Sequence, residues 1–196
     1  VWIGILTNAN ITNPEKYTNE KLINIRNEAN NAGKLLGVQE VLFEELPAII
    51  LDQFPAHKVT DAIVNWINKY QIDTLYVPHR GDIHNDHKVI FDASLVASRP
   101  VGNYTVNEVY SYETLSETEW AHPFPNDAFI PNVFEKLSIE DFDMKLAAMS
   151  CYKSQVRAFP NSRSLETIEA LAKFRGSTVS VERAEAFMLI RAVKRN

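Results

Sequence analysis

The sequence predicts an α/β fold of the Rossmann-like, three-layer kind: a mostly parallel sheet with helices on both faces, built as a single domain over residues 1–196. Three observations carry that expectation. Short runs rich in β-branched and aromatic residues alternate with longer segments whose apolar residues recur at helical spacing. A hydrophobic fraction of 45% over 196 residues is ordinary for one globular core. A cluster of histidines and aspartates follows one of the predicted strands, at its C-terminal end, where ligands gather in open α/β sheets.

The elements follow in order. "VWIGILT" at residues 1–7 reads as a buried strand, and a turn-rich stretch leads from it into a helix over about Asn19 to Leu36. That helix places Leu22, Ile25, Ala29, Ala32 and Leu36 on one stripe, and Gly37 is positioned to stop it. "VQEVLF" is a second strand, and "FPAHKVTDAIVNWINKYQ" a second helix with Val59, Ile63, Trp66, Ile67 and Tyr70 on its apolar face. "IDTLYVP" is the third strand. After the histidine cluster, "DHKVIFDASLVAS" is helical in composition, with Asn85 or Asp86 expected to cap it and Pro100 to end it. "TVNEVYSYET" reads as a strand, and "LSETEWAHPFPNDAFIPNVFEKL" as a long proline-bearing connection. A helix follows with Ser138 and Asp141 in its first turn, then another over about Ser164 to Arg175, and the strand "AFMLIRAV".

Composition excludes several classes of protein. The net charge is −5 and the 20 Lys and Arg are scattered, so the basic stripe of a nucleic-acid binder is missing. No apolar run approaches the roughly 20 residues of a membrane-spanning helix, and the N-terminus lacks a signal-peptide pattern. The single Cys151 has no partner for an internal disulfide, which suits a reducing, cytoplasmic setting.

The stretch "PHRGDIHNDHKVI", residues 78–90, holds His79, His84, His87, Asp82 and Asp86. Two imidazoles three residues apart at a loop-to-helix junction can face one pocket. One could bind a metal while the other moves a proton, and Asp82 or Asp86 could orient an imidazole by accepting its second N–H. The same residues also make an ordinary polar loop. A catalytic zinc generally takes three protein ligands, and the chain has five histidines; His57, at a helix start, and His122, in the proline-rich connection, read as exposed.

Several ordered blocks together resemble a known family. "GDIHNDH" is similar to the second metal motif of the PIG-L or LmbE-like zinc-dependent de-N-acetylases, and "RNEANNAGKLLGV" to that family's first long helix. Ser116 to Trp120, Ser154-Gln155, Arg175-Gly176 and Ala184 to Phe187 resemble its later blocks. The resemblance implies a zinc-dependent hydrolase that removes the N-acetyl group from an N-acetylglucosamine-containing small conjugate. It implies His87 as a zinc ligand, His84 as proton donor or transition-state stabiliser, and Asp86 as the residue orienting His84. Zinc-bound water would attack the acetamide carbonyl, and an acid would protonate the departing amine. Family members often assemble as trimers or hexamers. The family's other motif, Ala-His-Pro-Asp-Asp-Glu, does not occur here, and "VWIGILT" resembles the family's second strand; an N-terminally incomplete chain, lacking one strand and helix, is therefore expected. As a fragment it implies an active parent, and as a natural chain it implies a metal site that is not competent.

Two rival readings stand beside that one. The first is a non-catalytic carbohydrate-binding or scaffold protein that has lost the metal site, and the second a different metal hydrolase, such as a phosphoesterase, using the same histidines. Arg26 reads as a surface arginine on an amphipathic helix. Glu117, Glu119 and Trp120 suit either a substrate-side loop or packing. Arg175-Gly176 is read as a tight turn braced by Glu185, and Cys151 is given no role.

Overall fold

A computed structural model describes residues 1–101 and 104–194. In chain order the elements begin with strand β1 (Trp2–Asn8), the short helix α1 (Ala9–Thr12), helix α2 (Asn19–Leu35) and strand β2 (Glu40–Pro47). Helix α3 (Ala56–Tyr70), strand β3 (Thr74–Pro78), helix α4 (Asn85–Ala97) and strand β4 (Glu108–Tyr112) follow. Strand β5 (Val133–Lys136), helix α5 (Ile139–Ser150), helix α6 (Leu165–Ser177) and strand β6 (Ala184–Ala192) complete the fold. The alternation of strands and helices is the α/β class that the sequence predicts. The chain divides into two compact units, one of residues 1–48 with 134–185, the other of residues 49–133 with the chain from Ala186 onward.

In the first unit β1 and β2 pair in parallel, with Ile3 opposite Val41 and Ile5 opposite Phe43, and α2 connects them. The Thr18 side chain accepts from the Lys21 amide to start α2. Gly37, at φ +70°, ends it: its amide reaches the Lys34 carbonyl at 3.2 Å while the Val38 amide reaches Gly33 at 3.0 Å. That pair of bonds is a Schellman cap, which needs a left-handed residue where glycine meets no steric penalty. Ala29 and Ala32 are buried as the stripe predicts, whereas Leu36, the C-cap residue, is exposed. On α2 the carboxylate of Glu28 is also buried; it accepts the Ser154 hydroxyl at 2.6 Å and the Ser154 amide at 2.9 Å. Helix α5 starts at a reciprocal capping box between Ser138 and Asp141.

In the second unit α3 packs on α4, and α4 on β3. Val59, Ile63 and Ile67 of α3, Val77 of β3, Phe91 of α4 and Val109 of β4 are core residues. β3 runs parallel to β4, with Tyr76 opposite Tyr110 and their rings stacked at 5.0 Å. β6 runs antiparallel to β4, so parallel pairing gives way to a mixed sheet at that strand. β5 lies inside the long proline-bearing connection. At four residues it is too short, and too close to Pro131, for its pattern to stand out. No described helix is long and apolar enough to cross a membrane.

Candidate active site

The site lies in the second unit, in the turn from β3 into α4. Val77, Pro78 and His79 are buried, and the chain then reverses through Gly81. A side chain at Gly81 has no room: a Cβ there would stand 2.1 Å from the Asp127 carbonyl oxygen and 2.6 Å from the His79 ring nitrogen Nε2. That close approach lets His79 Nε2 donate to the Asp127 carbonyl at 2.9 Å, with the His79 ring edge-on to Phe129. His79 therefore ties the 125–129 segment to the turn and is spent structurally.

Helix α4 is capped differently from the sequence expectation. Asn85 and Asp86 both fall inside the helix, and His84 is the N-cap, its Nδ1 accepting from the Asp86 amide at 3.2 Å. An imidazole nitrogen can fill this place because a cap needs only a lone pair aimed at the first exposed amides. With Nδ1 accepting, the neutral ring carries its proton on Nε2.

His87 has the opposite polarity. Its Nδ1 meets Asp82 Oδ2 at 2.8 Å, and the Asp82 side chain is fully enclosed. A carboxylate accepts, so Nδ1 carries the proton and Nε2 keeps its lone pair. The rings of His84 and His87 stack at 5.2 Å, with an angle of 23° between their planes. One ring of the stacked pair thus carries a donor Nε2 and the other an acceptor Nε2, both rings half-buried.

Asp86 touches His84 through its backbone amide alone. Its buried carboxylate is taken up elsewhere: Oδ2 accepts from the Ile49 amide at 2.6 Å and Oδ1 from the Leu51 amide at 3.1 Å. Ile49 is held at φ +63°, a region that β-branched residues rarely enter. The carboxylate that does orient an imidazole is Asp82, which belongs to the quoted loop, and its other oxygen accepts from the Thr118 hydroxyl at 2.6 Å. Burial pushes the Tyr112 phenol up to about 12, and the Asp82 charge adds to the effect.

Thr118 was not legible as a site residue. The only signal was its membership of the "SETEW" block, where the residues singled out were Glu117, Glu119 and Trp120. Glu119 caps its own turn by accepting from the Ser116 and Glu117 amides, the Glu117 carbonyl accepts from the Ile83 amide, and Trp120 is exposed. His57 is exposed at the start of α3, and His122 is exposed and stacks on Phe124. In the first unit Arg26 pairs with Glu45 and lies over the Phe43 ring, and Glu185 pairs with Lys145 instead of bracing a turn at Gly176, which lies inside α6.

A metal has a limited foothold here. His87 Nε2, backed by a carboxylate, has the character of a single ligand position. Among the described residues no group of three or more His, Cys, Asp or Glu side chains is placed to hold a metal ion. The described residues therefore do not make up a zinc site by themselves.

The α/β fold thus carries a stacked histidine pair, one of them a helix N-cap, just beyond the C-terminal end of a parallel strand. The family profile of PIG-L, GlcNAc-PI de-N-acetylase, matches residues 1–98. The uncharacterized deacetylase YaiS of Escherichia coli (strain K12) is 32% identical over 137 residues, which is 68% of this chain and 67% of that protein. The chain belongs to the PIG-L de-N-acetylase family, as its ordered blocks imply.

Solved structures share the fold. An N,N'-diacetylchitobiose deacetylase from Pyrococcus horikoshii, complexed with an inhibitor, superposes with a TM-score of 0.70 at 18% identity, over 97% of this chain and 73% of that one. GalB, a 4-carboxy-2-hydroxymuconate hydratase from Pseudomonas putida KT2440, gives 0.71 at 15% identity, over 100% and 86%. At such identities the likeness is one of fold alone, and the fold carries more than one chemistry.

Proposed function

We propose that this protein is a zinc-dependent hydrolase that removes the N-acetyl group from an N-acetylglucosamine-containing small conjugate. The observation that carries the reading is the stacked pair of His84 and His87, with opposite Nε2 polarity, in a chain of the de-N-acetylase family. Zinc comes from the family resemblance, with His87 as one of its ligands.

In this reaction water adds to the acetamide carbonyl carbon, the C–N bond breaks, acetate leaves, and the amine nitrogen takes a proton. His84 suits the part of oxyanion stabiliser. Its Nδ1 is occupied by the helix cap, so the neutral ring donates a hydrogen bond only through Nε2, to the developing oxyanion, while the proton that reaches the departing amine comes from the attacking water. Asp86 acts through the backbone, holding Ile49 and Leu51 to the first turn of α4. The conjugate is proposed to be a small soluble glycoside, with no nucleic-acid or membrane partner, in a cytoplasmic protein that assembles as a homo-oligomer.

Elemental analysis of the purified chain beside His87→Ala, together with product analysis on amino-sugar conjugates, tests the proposal. Zinc that is lost in the variant and acetate that is released only with zinc present are expected. Sugar binding without turnover would favour the non-catalytic reading, and phosphate release from a phosphomonoester would favour the phosphoesterase.

A further inference from the structure

The hydrogen bonds behind His87 form a chain whose direction is fixed from one end. The Thr114 amide donates to Thr118 Oγ1 at 2.7 Å, and a backbone amide can act only as donor. The Thr118 hydroxyl has one proton, and its remaining partner is Asp82 Oδ1 at 2.6 Å. Asp82 therefore accepts on Oδ1 and presents Oδ2 to His87 Nδ1 at 2.8 Å. The Asp82 side chain has no solvent exposure, so water is not there to replace either partner. The two segments are also clamped beside this chain, where the Ile83 amide donates to the Glu117 carbonyl at 3.3 Å.

We propose that Thr118 is a positioning residue that sets the tautomer of His87, keeping the proton on Nδ1 and the lone pair on Nε2. The inference rests on reading His87 as the acceptor or ligand of the site, and it assigns the control of that nitrogen to a hydroxyl 36 residues away from Asp82 in sequence. Without the hydroxyl, the enclosed carboxylate is left one donor short. The single orientation that holds the imidazole is then no longer enforced.

The test is a long-range proton–nitrogen NMR correlation of the histidine rings in the full chain, at about pH 8, where an ordinary imidazole is neutral. Wild type is compared with Thr118→Val, which keeps the shape and removes the hydroxyl, and with Thr118→Ser, which restores it. The expected result is a single Nδ1-protonated tautomer of His87 in wild type, loss of that single state in Thr118→Val, and its recovery in Thr118→Ser. An Nε2-protonated His87 in wild type would overturn the proposal, whatever the variants do. So would an unchanged single tautomer in a Thr118→Val protein whose backbone spectrum is folded, or a mixed state in Thr118→Ser. The tautomer is read without turnover, so a protein that releases no acetate yet shows the expected ring states would refute the deacetylase reading and leave this one standing.

Discussion

Asp86→Ala is the substitution whose cost the geometry fixes most closely. Asp86 is 3% exposed, and its two oxygens accept from the amides of Ile49 at 2.6 Å and Leu51 at 3.1 Å. Hydrogen bonds to a charged group contribute about 1.5–3 kcal/mol each, and an acidic side chain in the first turn of α4 adds roughly 0.5 kcal/mol through the helix dipole. The sum is about 4 kcal/mol, at the upper end of what single substitutions cost. Asp86→Asn keeps one acceptor oxygen and should lose about half of that. In urea, with a slope of about 2 kcal/mol per molar, Asp86→Ala should lower the unfolding midpoint by about 2 M without changing the slope. Ile49→Gly provides the complementary arm: it relieves a β-branched residue at φ +63° and should stabilise the protein by about 1 kcal/mol. A midpoint shift in Asp86→Ala below about 0.3 M would refute the reasoning, because the two amides would then have other partners.

Further outcomes follow from the same geometry. Gly81→Ala drives a Cβ against the Asp127 carbonyl and His79, and should cost about 3 kcal/mol in denaturant unfolding while releasing the 125–129 segment to proteolysis. Tyr112, whose phenol burial pushes up to about 12, binds its proton more tightly folded than unfolded. Stability is therefore full below about pH 10 and falls by about 3 kcal/mol as pH rises toward 12, a decline that Tyr112→Phe should flatten in alkaline unfolding curves. Burial of Glu45 would raise its carboxyl, but the bonds from Arg26 and Asn8 and the Arg26 charge outweigh it and hold the group below the ordinary glutamate range. The stability it supplies is present above the ordinary glutamate range and lost as pH falls from there through the lowered folded value, and Arg26→Ala should weaken this acid dependence in pH-stepped unfolding.

What was legible from sequence was what local chemistry encodes. The alternation of strands and helices, the stop at Gly37, the helix start around Ser138 and Asp141 and the place of His84 and His87 after β3 all rest on neighbours within a few residues. The parts that were not legible depend on partners distant in sequence. Asp82 meets Thr118, and the Asp86 carboxylate reaches back to Ile49 and Leu51, so the roles of the two aspartates could not be told apart from their spacing to the histidines. The cap at His84 escaped notice because asparagine and aspartate are the usual capping residues, and one stood at each of the next two positions. The antiparallel placement of β6 leaves no mark in a strand's own composition.

The most direct test of the central claim is the rate of acetate release from an N-acetylglucosaminyl conjugate by the zinc-supplied protein and its folded His84→Ala variant. The account predicts a fall of roughly 100-fold or more, the usual contribution of one positioned donor to a developing oxyanion. Equal rates in the two proteins would contradict it, since the Nε2 donor of His84 would then play no part in the reaction.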